Sequence, residues 1–456
     1  VRDRYNRREF LKQGTLATAA TLISASVLDA CAAQPLQLER RGAAKKVVIM
    51  GAGLAGMSAG YELMQAGHDV TILEARTRPG GRVFTIRDAF ADGLIAEAGA
   101  GRIPMDHDQT LRYVKLFNLQ LMPFYPSELP FVHYHDGRRE EVQWKPFKEA
   151  LNHYLGLNLG QSSANWFKIV GGNDLLPKAF AAKLSEKILY GSPVRKVEQD
   201  ERTVRVTFTQ AGAPQTISGD RLVCAIPYTT LRDVEISPPF SKGKQQMIRE
   251  LHYDSASRVY FQTRKKYWLN KNLNGFAITD HPMEVWNPAH NQQGQRGLLG
   301  AYLRYEKSQA ITAMRDGERL AWTLEYLEKV FPGLHEHAEG GVTKCWDEDE
   351  WARGAWAHAN FFELLQITKP EGRVHFAGEH TSANASWMQG ALESGNRKNT
   401  MPCAPARNAA LMASSSAPRS TWRTITSSPG WIGVFAIEVD FVARKMDAPN
   451  CPPFAS

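Results

Sequence analysis

The chain of 456 residues is poor in cysteine, and the five it has are spaced for nothing. Cys31, Cys224, Cys345, Cys403 and Cys451 form no CxxC pair and no other metal-ligand interval. That pattern argues against a zinc site, an iron–sulfur cluster or a disulfide framework. Cys224 sits in an apolar stretch and reads as inert core. Long apolar runs are also missing. The stretch from Gly14 to Leu28 is too short and too polar for a stable spanning helix, and nothing else approaches one. Charge of one sign is not in large excess, with 55 Lys and Arg against 47 Asp and Glu. Beyond the N-terminus the basic residues are scattered without aromatic interleaving, which fits a solvated surface rather than a nucleic-acid partner.

Glycine, by contrast, is plentiful and grouped. Val47-Val48-Ile49-Met50 reads as a buried parallel strand, and Gly51-Ala52-Gly53-Leu54-Ala55-Gly56 follows it. Gly51 suits a tight turn, Gly53 a close backbone approach to a pyrophosphate, and Gly56 close packing of helix on strand. The helix is predicted over Leu54 to Gln65, with its N-terminus facing the phosphates. A second strand, Val70 to Leu73, ends at Glu74, whose carboxylate can accept ribose hydroxyls at the spacing such sites use. Glycines alone would be weak evidence; strand, turn, helix, strand and acid in that order point to a dinucleotide.

A second segment lies near the other end of the chain. Val374-His375-Phe376-Ala377-Gly378-Glu379-His380 leads into Trp387-Met388-Gln389-Gly390-Ala391-Leu392-Glu393-Ser394-Gly395. It is predicted to return a distant strand and helix to the same cofactor. Closure from both ends suits an enclosed, permanently bound FAD better than an exchanging nicotinamide.

Arg78-Pro79-Gly80-Gly81-Arg82 comes directly after the ribose glutamate and can bring backbone and a guanidinium to a second phosphate or the ribityl chain. With this motif the chain resembles the flavin-containing amine oxidase superfamily, which includes monoamine, polyamine and L-amino acid oxidases. The resemblance runs from about Lys45 to Gly395. It implies an α/β fold in which a Rossmann-like FAD-binding domain is interleaved with an α+β substrate-binding domain, the glutathione-reductase-2-like architecture. The FAD domain is expected over 44–105, 167–236 and 341–395, and the substrate domain over 106–166 and 237–340.

Cofactor contacts implied by the resemblance are Gly51, Gly53, Leu54, Ala55, Gly56, Glu74, Ala75, Arg76, Gly81 and Arg82. Gly99, Ala100, Gly101 and Arg102 add to them, with Val194 at the adenine and Gly378, Glu379, Trp387, Met388 and Ala391 near the pyrophosphate and the flavin. Trp356 and Trp387 match the two aromatic side chains that flank the substrate nitrogen. Either can instead pack in the core, as buried tryptophans commonly do. Ala355 stands where monoamine oxidases carry the cysteine that attaches the flavin, so non-covalent FAD is expected. No metal is needed for this chemistry.

Arg102, in Gly99-Ala100-Gly101-Arg102-Ile103-Pro104, aligns with the arginine that grips the substrate carboxylate in L-amino acid oxidases. A guanidinium matches a carboxylate with two parallel donors. The other reading pairs Arg102 with a structural acid or a FAD phosphate. Tyr302 resembles the tyrosine that gives the carboxylate a second bond, or is a core tyrosine. Arg258, ten residues before Trp268, stands where relatives place a lysine bonded through water to flavin N5, and it cannot lose its proton near neutral pH. This substitution keeps a flavin dehydrogenase in contention beside an oxidase. His375 reads as strand core, and His380 is left open.

The expected activity is oxidative deamination of L-amino acids to 2-oxo acids, with ammonia and hydrogen peroxide released. Alternatives are an oxidase of amines lacking a carboxylate, a dehydrogenase or desaturase using another electron acceptor, and a non-catalytic remnant. Partners are then a small amino acid or amine and molecular oxygen; a homodimer is left open. Residues 1–35 read as an export segment: Asn6-Arg7-Arg8-Glu9-Phe10-Leu11-Lys12 matches the twin-arginine pattern. A periplasmic or extracellular location follows, with the membrane met only in transit unless Cys31 is lipidated. The stretch between Pro104 and Gly171 is shorter than the helical subdomain of amino acid oxidases, which predicts a reduced entrance. After Gly395 the family pattern stops, and 396–456 is expected to be disordered.

Overall fold

The computed structural model describes residues 43–154, 165–279 and 283–397. The predicted export segment, Cys31 and everything past Arg397 lie outside the described residues.

Five parallel strands form the nucleotide-side sheet in the order Ile188–Leu189, Asp69–Leu73, Lys46–Met50, Arg221–Cys224, Val374–Phe376. Lys46–Met50 lies in the middle and is covered on both faces, which is why Val47 through Met50 are apolar without alternation. Cys224 ends a neighbouring strand fully buried, and burial pushes its thiol up to about 12. The helix Leu54–Gln65 crosses beneath the sheet. A Cβ on Gly56 would overlap the carbonyl oxygen of Gly51, so helix and strand meet with no side chain between them.

The two ends of the described chain are locked together by a second such contact. The helix Met388–Gly395 packs along Leu54–Gln65, and a Cβ on Gly395 would overlap Ala55 O and Ser58 Oγ. Gly378 N–H donates to Ser394 Oγ at 2.9 Å, holding the strand-to-helix turn against that helix.

Seven strands form the other large sheet, in the order Ala338–Cys345, Ala256–Thr263, Gly297–Arg304, Met283–Trp286, Ala277–Thr279, Phe131–His135, Arg138–Val142. Its last hairpin turns at Asp136 and Gly137, both with positive φ (48° and 74°), as a two-residue hairpin turn requires. The register decides the site. Arg258 pairs with Tyr302, and Tyr302 pairs with Glu284 on the next strand. Directly paired residues share a face, so Arg258, Tyr302 and Glu284 form one row across three strands. Arg304 and Trp286, two residues along, share that face.

The helix Asp108–Leu116, placed in the substrate half by sequence, packs instead with the nucleotide-side core through Leu111, Tyr113 and Val114. Its Thr110 N–H donates to Gln389 Oε1 at 3.1 Å, 279 positions away. Among the described residues no helix is long and apolar enough to cross a membrane.

Candidate flavin and amine site

One cavity of about 460 Å³ runs from the carboxyl ends of the parallel strands to the row on the antiparallel sheet. It receives both ends of the described chain. Gly51, Gly53, Leu54, Ala55, Glu74, Ala75, Arg76, Gly81, Arg82, Gly99, Ala100, Gly101, Arg102 and Val194 line it. So do Arg258, Tyr302, Trp356, Gly378, Glu379, Trp387, Met388 and Ala391. Gly56 is the exception and corrects the expectation of a direct cofactor contact: it does not line the cavity and acts through packing.

The nucleotide end is shaped for an anion carried on a ribose. No side chain caps the N-terminus of Leu54–Gln65. A Cβ on Gly53 would meet nothing within 4 Å, so the backbone there borders open space. Uncapped helix N-termini present N–H groups and a positive dipole end to phosphate. Glu74 is buried, with its oxygens held by Ala52 N–H (2.6 Å) and Arg76 N–H (2.9 Å). Burial raises its pKa. The donor set and the bare glycine fit a dinucleotide pyrophosphate with a ribose beyond it.

Arg76 is held at the cavity wall by Asp349, which also accepts from Lys344 Nζ at 2.6 Å. Burial alone would raise the pKa of Asp349. Hydrogen bonds from Arg76 and Lys344 outweigh it and bring the carboxyl down to about 2. The folded pKa is thus below the unfolded value of about 3.9. The stability it contributes is fully present above pH ~4 and is lost as pH falls from there towards 2. Melting temperatures from pH 5 to 2.5 should therefore fall more steeply for wild type than for Asp349→Asn; parallel curves would contradict the pairing.

Glu379 holds the middle of the site together. Its carboxylate accepts from Arg82 Nη1 (2.8 Å), Ala357 N–H (3.2 Å) and Ser386 N–H (3.0 Å). Arg82 also donates to Ala355 O at 2.8 Å. One buried acid therefore fixes both the strand Trp356–His358 and the loop that carries Trp387. Ser386 adopts φ 71°, strain for a non-glycine residue that these bonds sustain immediately before Trp387. Trp387 lies edge-on to His107, ring centroids 5.1 Å apart, and burial lowers the His107 pKa to about 4, leaving a neutral ring there.

The far wall is cationic and aromatic. Arg102 Nη1 donates to Glu284 Oε2 at 2.8 Å, and its guanidinium lies over Trp166 (4.3 Å) and Trp286 (5.1 Å). Tyr125 OH (3.2 Å) and Trp286 Nε1 (3.0 Å) donate to the same oxygen. Arg304 reaches the other oxygen of Glu284 at 3.9 Å. Burial raises the Glu284 pKa, but Arg102 and then Arg304 more than offset it and keep the carboxyl below its ordinary value. Arg102, Arg258 and Arg304 line the cavity; Glu284 does not. Of the two readings of Arg102, the structural acid is found, and the cavity face remains positive.

Glu284, Trp286, Arg304, Tyr125 and Trp166 were not singled out from sequence. Their signal was present: Met283-Glu284-Val285-Trp286 and Leu303-Arg304 each place a charge in a buried strand. Buried charges are rare unless paired. His380, left open before, is fully buried against Tyr228 (4.7 Å) and lies off the cavity. His375 is in the strand Val374–Phe376.

The model of the family "Flavin containing amine oxidoreductase" matches residues 54–168 and 142–399. The chain belongs to that family. Among curated relatives, the putative L-amino-acid oxidase YobN of Bacillus subtilis (strain 168) is 29% identical over 77% of this chain and 93% of its own. The flavin-dependent L-tryptophan oxidase RebO of Lentzea aerocolonigenes is 26% identical over 77% and 96%. Among solved structures, wild-type putrescine oxidase bound to putrescine superposes with a TM-score of 0.67 at 20% identity, over 78% of this chain and 98% of that one. Cyclohexylamine oxidase from Brevibacterium oxydans IH-35A gives 0.67 at 17%. These neighbours share the fold. The amine oxidoreductase is thus a flavoenzyme acting on a small-molecule amine.

Proposed function

We propose that this amine oxidoreductase holds FAD non-covalently and oxidises L-amino acids at the Cα–N bond. Oxygen is the final acceptor, and the products are a 2-oxo acid, ammonia and hydrogen peroxide. The observation that carries the reading is the far wall, where tryptophans and guanidiniums face the same space while the one neutralising carboxylate is set behind them. No cysteine is among the cavity-lining residues, and Ala355 lies in the wall, which supports a dissociable cofactor. The relatives named as L-amino-acid and L-tryptophan oxidases favour the same substrate class.

When bound, the flavin accepts the hydride equivalent that leaves Cα. The chain's residues bind and orient. Trp356 and Trp387 exclude water around the amine and favour its neutral form. The guanidinium wall fixes the acid end, so the single hydrogen on Cα points at the acceptor in one enantiomer and away from it in the other. That two-point grip selects one enantiomer. The imine product needs only water for hydrolysis.

A second reading, oxidation of amines without a carboxylate, is favoured by one observation: Arg102 already has a counter-ion in Glu284. Purified holoenzyme offered L-amino acids and the corresponding decarboxylated amines decides between the two. Anaerobic bleaching of the flavin and peroxide formed per substrate are the readouts. Amino acids are expected to bleach the flavin and to give one peroxide each. Bleaching by amines alone would establish the second reading, and bleaching without peroxide a dehydrogenase.

A further inference from the structure

Oxidation at Cα leaves one part of the substrate without a partner in the protein, its side chain. We propose that Tyr305 is a specificity-determining residue whose ring contacts that side chain and favours a large aromatic group over a small or cationic one; this rests on the amino-acid reading above.

The tetrahedral carbon supplies the direction. In that reading the amine lies between Trp356 and Trp387, the acid end lies at the guanidinium wall, and the Cα hydrogen faces the acceptor. The fourth substituent then points away from the acceptor, along the way out of the cavity. Tyr305 flanks that way out. Its ring meets Trp356 edge-on, with centroids 6.4 Å apart and planes at 86°, and the Arg304 guanidinium lies 5.7 Å from its centroid. Tyr305, Trp356 and Arg304 all line the cavity. Tyr305 is also 36% exposed, so the cavity meets solvent where its ring stands.

Packing does not account for this residue. Tyr305 follows the strand Gly297–Arg304 and opens the helix Tyr305–Thr312 at φ 53°. A bulky side chain at positive φ is a strained choice, and glycine would make the same turn freely. Tyr305 N–H donates to Ser255 O at 3.0 Å, which holds the turn against the neighbouring strand. The hydroxyl makes no hydrogen bond among the described residues. A partly exposed ring with an unused hydroxyl on a strained backbone does little for the fold. Strain of this kind clusters where a chain meets its ligand.

The chemistry of the ring sets the preference. An aromatic side chain can pair with it edge-on or offset, at centroid separations of about 4.5–7 Å. A cationic side chain would meet Arg304 at the same place, and Arg304 shares the single acid Glu284 with Arg102. A methyl side chain reaches neither group.

The test takes kcat and KM of the holoenzyme on L-phenylalanine, L-alanine and L-lysine, together with its melting temperature. Wild type should prefer L-phenylalanine to L-alanine by at least about tenfold in kcat/KM and turn over L-lysine worst. Tyr305→Gly should raise KM for L-phenylalanine on the order of tenfold, keep its kcat within about threefold and leave L-alanine nearly unchanged. It should melt within about two degrees of wild type, because glycine takes the positive φ without strain. Dissociation constants of 3-phenylpropanoate and propanoate, the same side chains without an amine, should respond as the two KM values do. Tyr305→Phe should behave as wild type, since the ring and not the hydroxyl makes the contact. Tyr305→Asn, also at ease at positive φ, repeats the comparison if the glycine variant does not fold. Equal losses on L-phenylalanine and L-alanine would overturn the proposal, as would a wild type that prefers L-alanine or L-lysine. A wild type that oxidises only amines sinks the amino-acid reading by itself. The ratio of 2-phenylethylamine to ethylamine turnover in Tyr305→Gly then still decides the role of Tyr305.

Discussion

Gly56→Val should abolish flavin retention by destabilising the apoprotein, whereas Gly53→Ala should abolish it while leaving the apoprotein intact. The two glycines sit three residues apart in one motif, but the space around them differs. At Gly56 any Cβ overlaps the carbonyl of Gly51, which is fixed by Gly51 N–H donating to Leu73 O at 2.8 Å. Relief requires the helix Leu54–Gln65 to move off the sheet and to break its contact with Gly395. Overpacking a tight core costs about 1–3 kcal/mol and sometimes more, and backbone against backbone is the case with least give. Valine's higher helix propensity recovers only a few tenths of a kcal/mol of that. At Gly53 a methyl group meets nothing, and φ −74°, ψ 175° suits alanine. The methyl occupies the approach of the pyrophosphate instead. Apoprotein melts should therefore drop by several degrees for Gly56→Val and stay within about a degree for Gly53→Ala, with both preparations colourless. A Gly56→Val apoprotein that melts like wild type would show that the helix does not lie where the strand turn places it.

What could be read beforehand follows the range of the interactions. The helix Leu54–Gln65 and the strand Asp69–Leu73 are set by neighbours in sequence, and their boundaries were legible to within a residue. That the glycine-rich segments line one cavity was legible because glycines are needed wherever the chain borders open space at a helix N-terminus or touches another backbone. The far wall was not. Arg258, Tyr302 and Glu284 meet through antiparallel pairing of strands some 20 to 45 positions apart, and a one-residue slip would turn every one of them to the other face. Resemblance singled out Arg102, Arg258 and Tyr302 one at a time, so the acid that changes the meaning of Arg102 stayed out of view. The helix Asp108–Leu116 was assigned to the wrong neighbours for the same reason: its amphipathic stripe announces burial but not that Gln389 and Tyr61 are what it is buried against.

Glu284→Met should be among the most destabilising single changes in the protein, and adding Arg102→Met should restore much of the loss. Glu284 is 1% exposed and Arg102 8%, so removing either leaves a charge with no water to turn to. Breaking a buried pair from one side costs about 3–5 kcal/mol, while replacing both members by apolar groups of similar volume is often neutral. Methionine suits both positions, since Trp166, Trp286 and Phe124 already surround the pair. Arg304, 3.9 Å from Glu284, breaks the symmetry of the cycle. It offers the acid a substitute partner, so Arg102→Met alone should cost less than Glu284→Met alone. Chemical denaturation of the four forms gives the coupling energy directly. Non-additivity of at least about 2 kcal/mol is expected. Additive losses would mean that the pair is solvated, and Arg102 would then be available to a ligand after all.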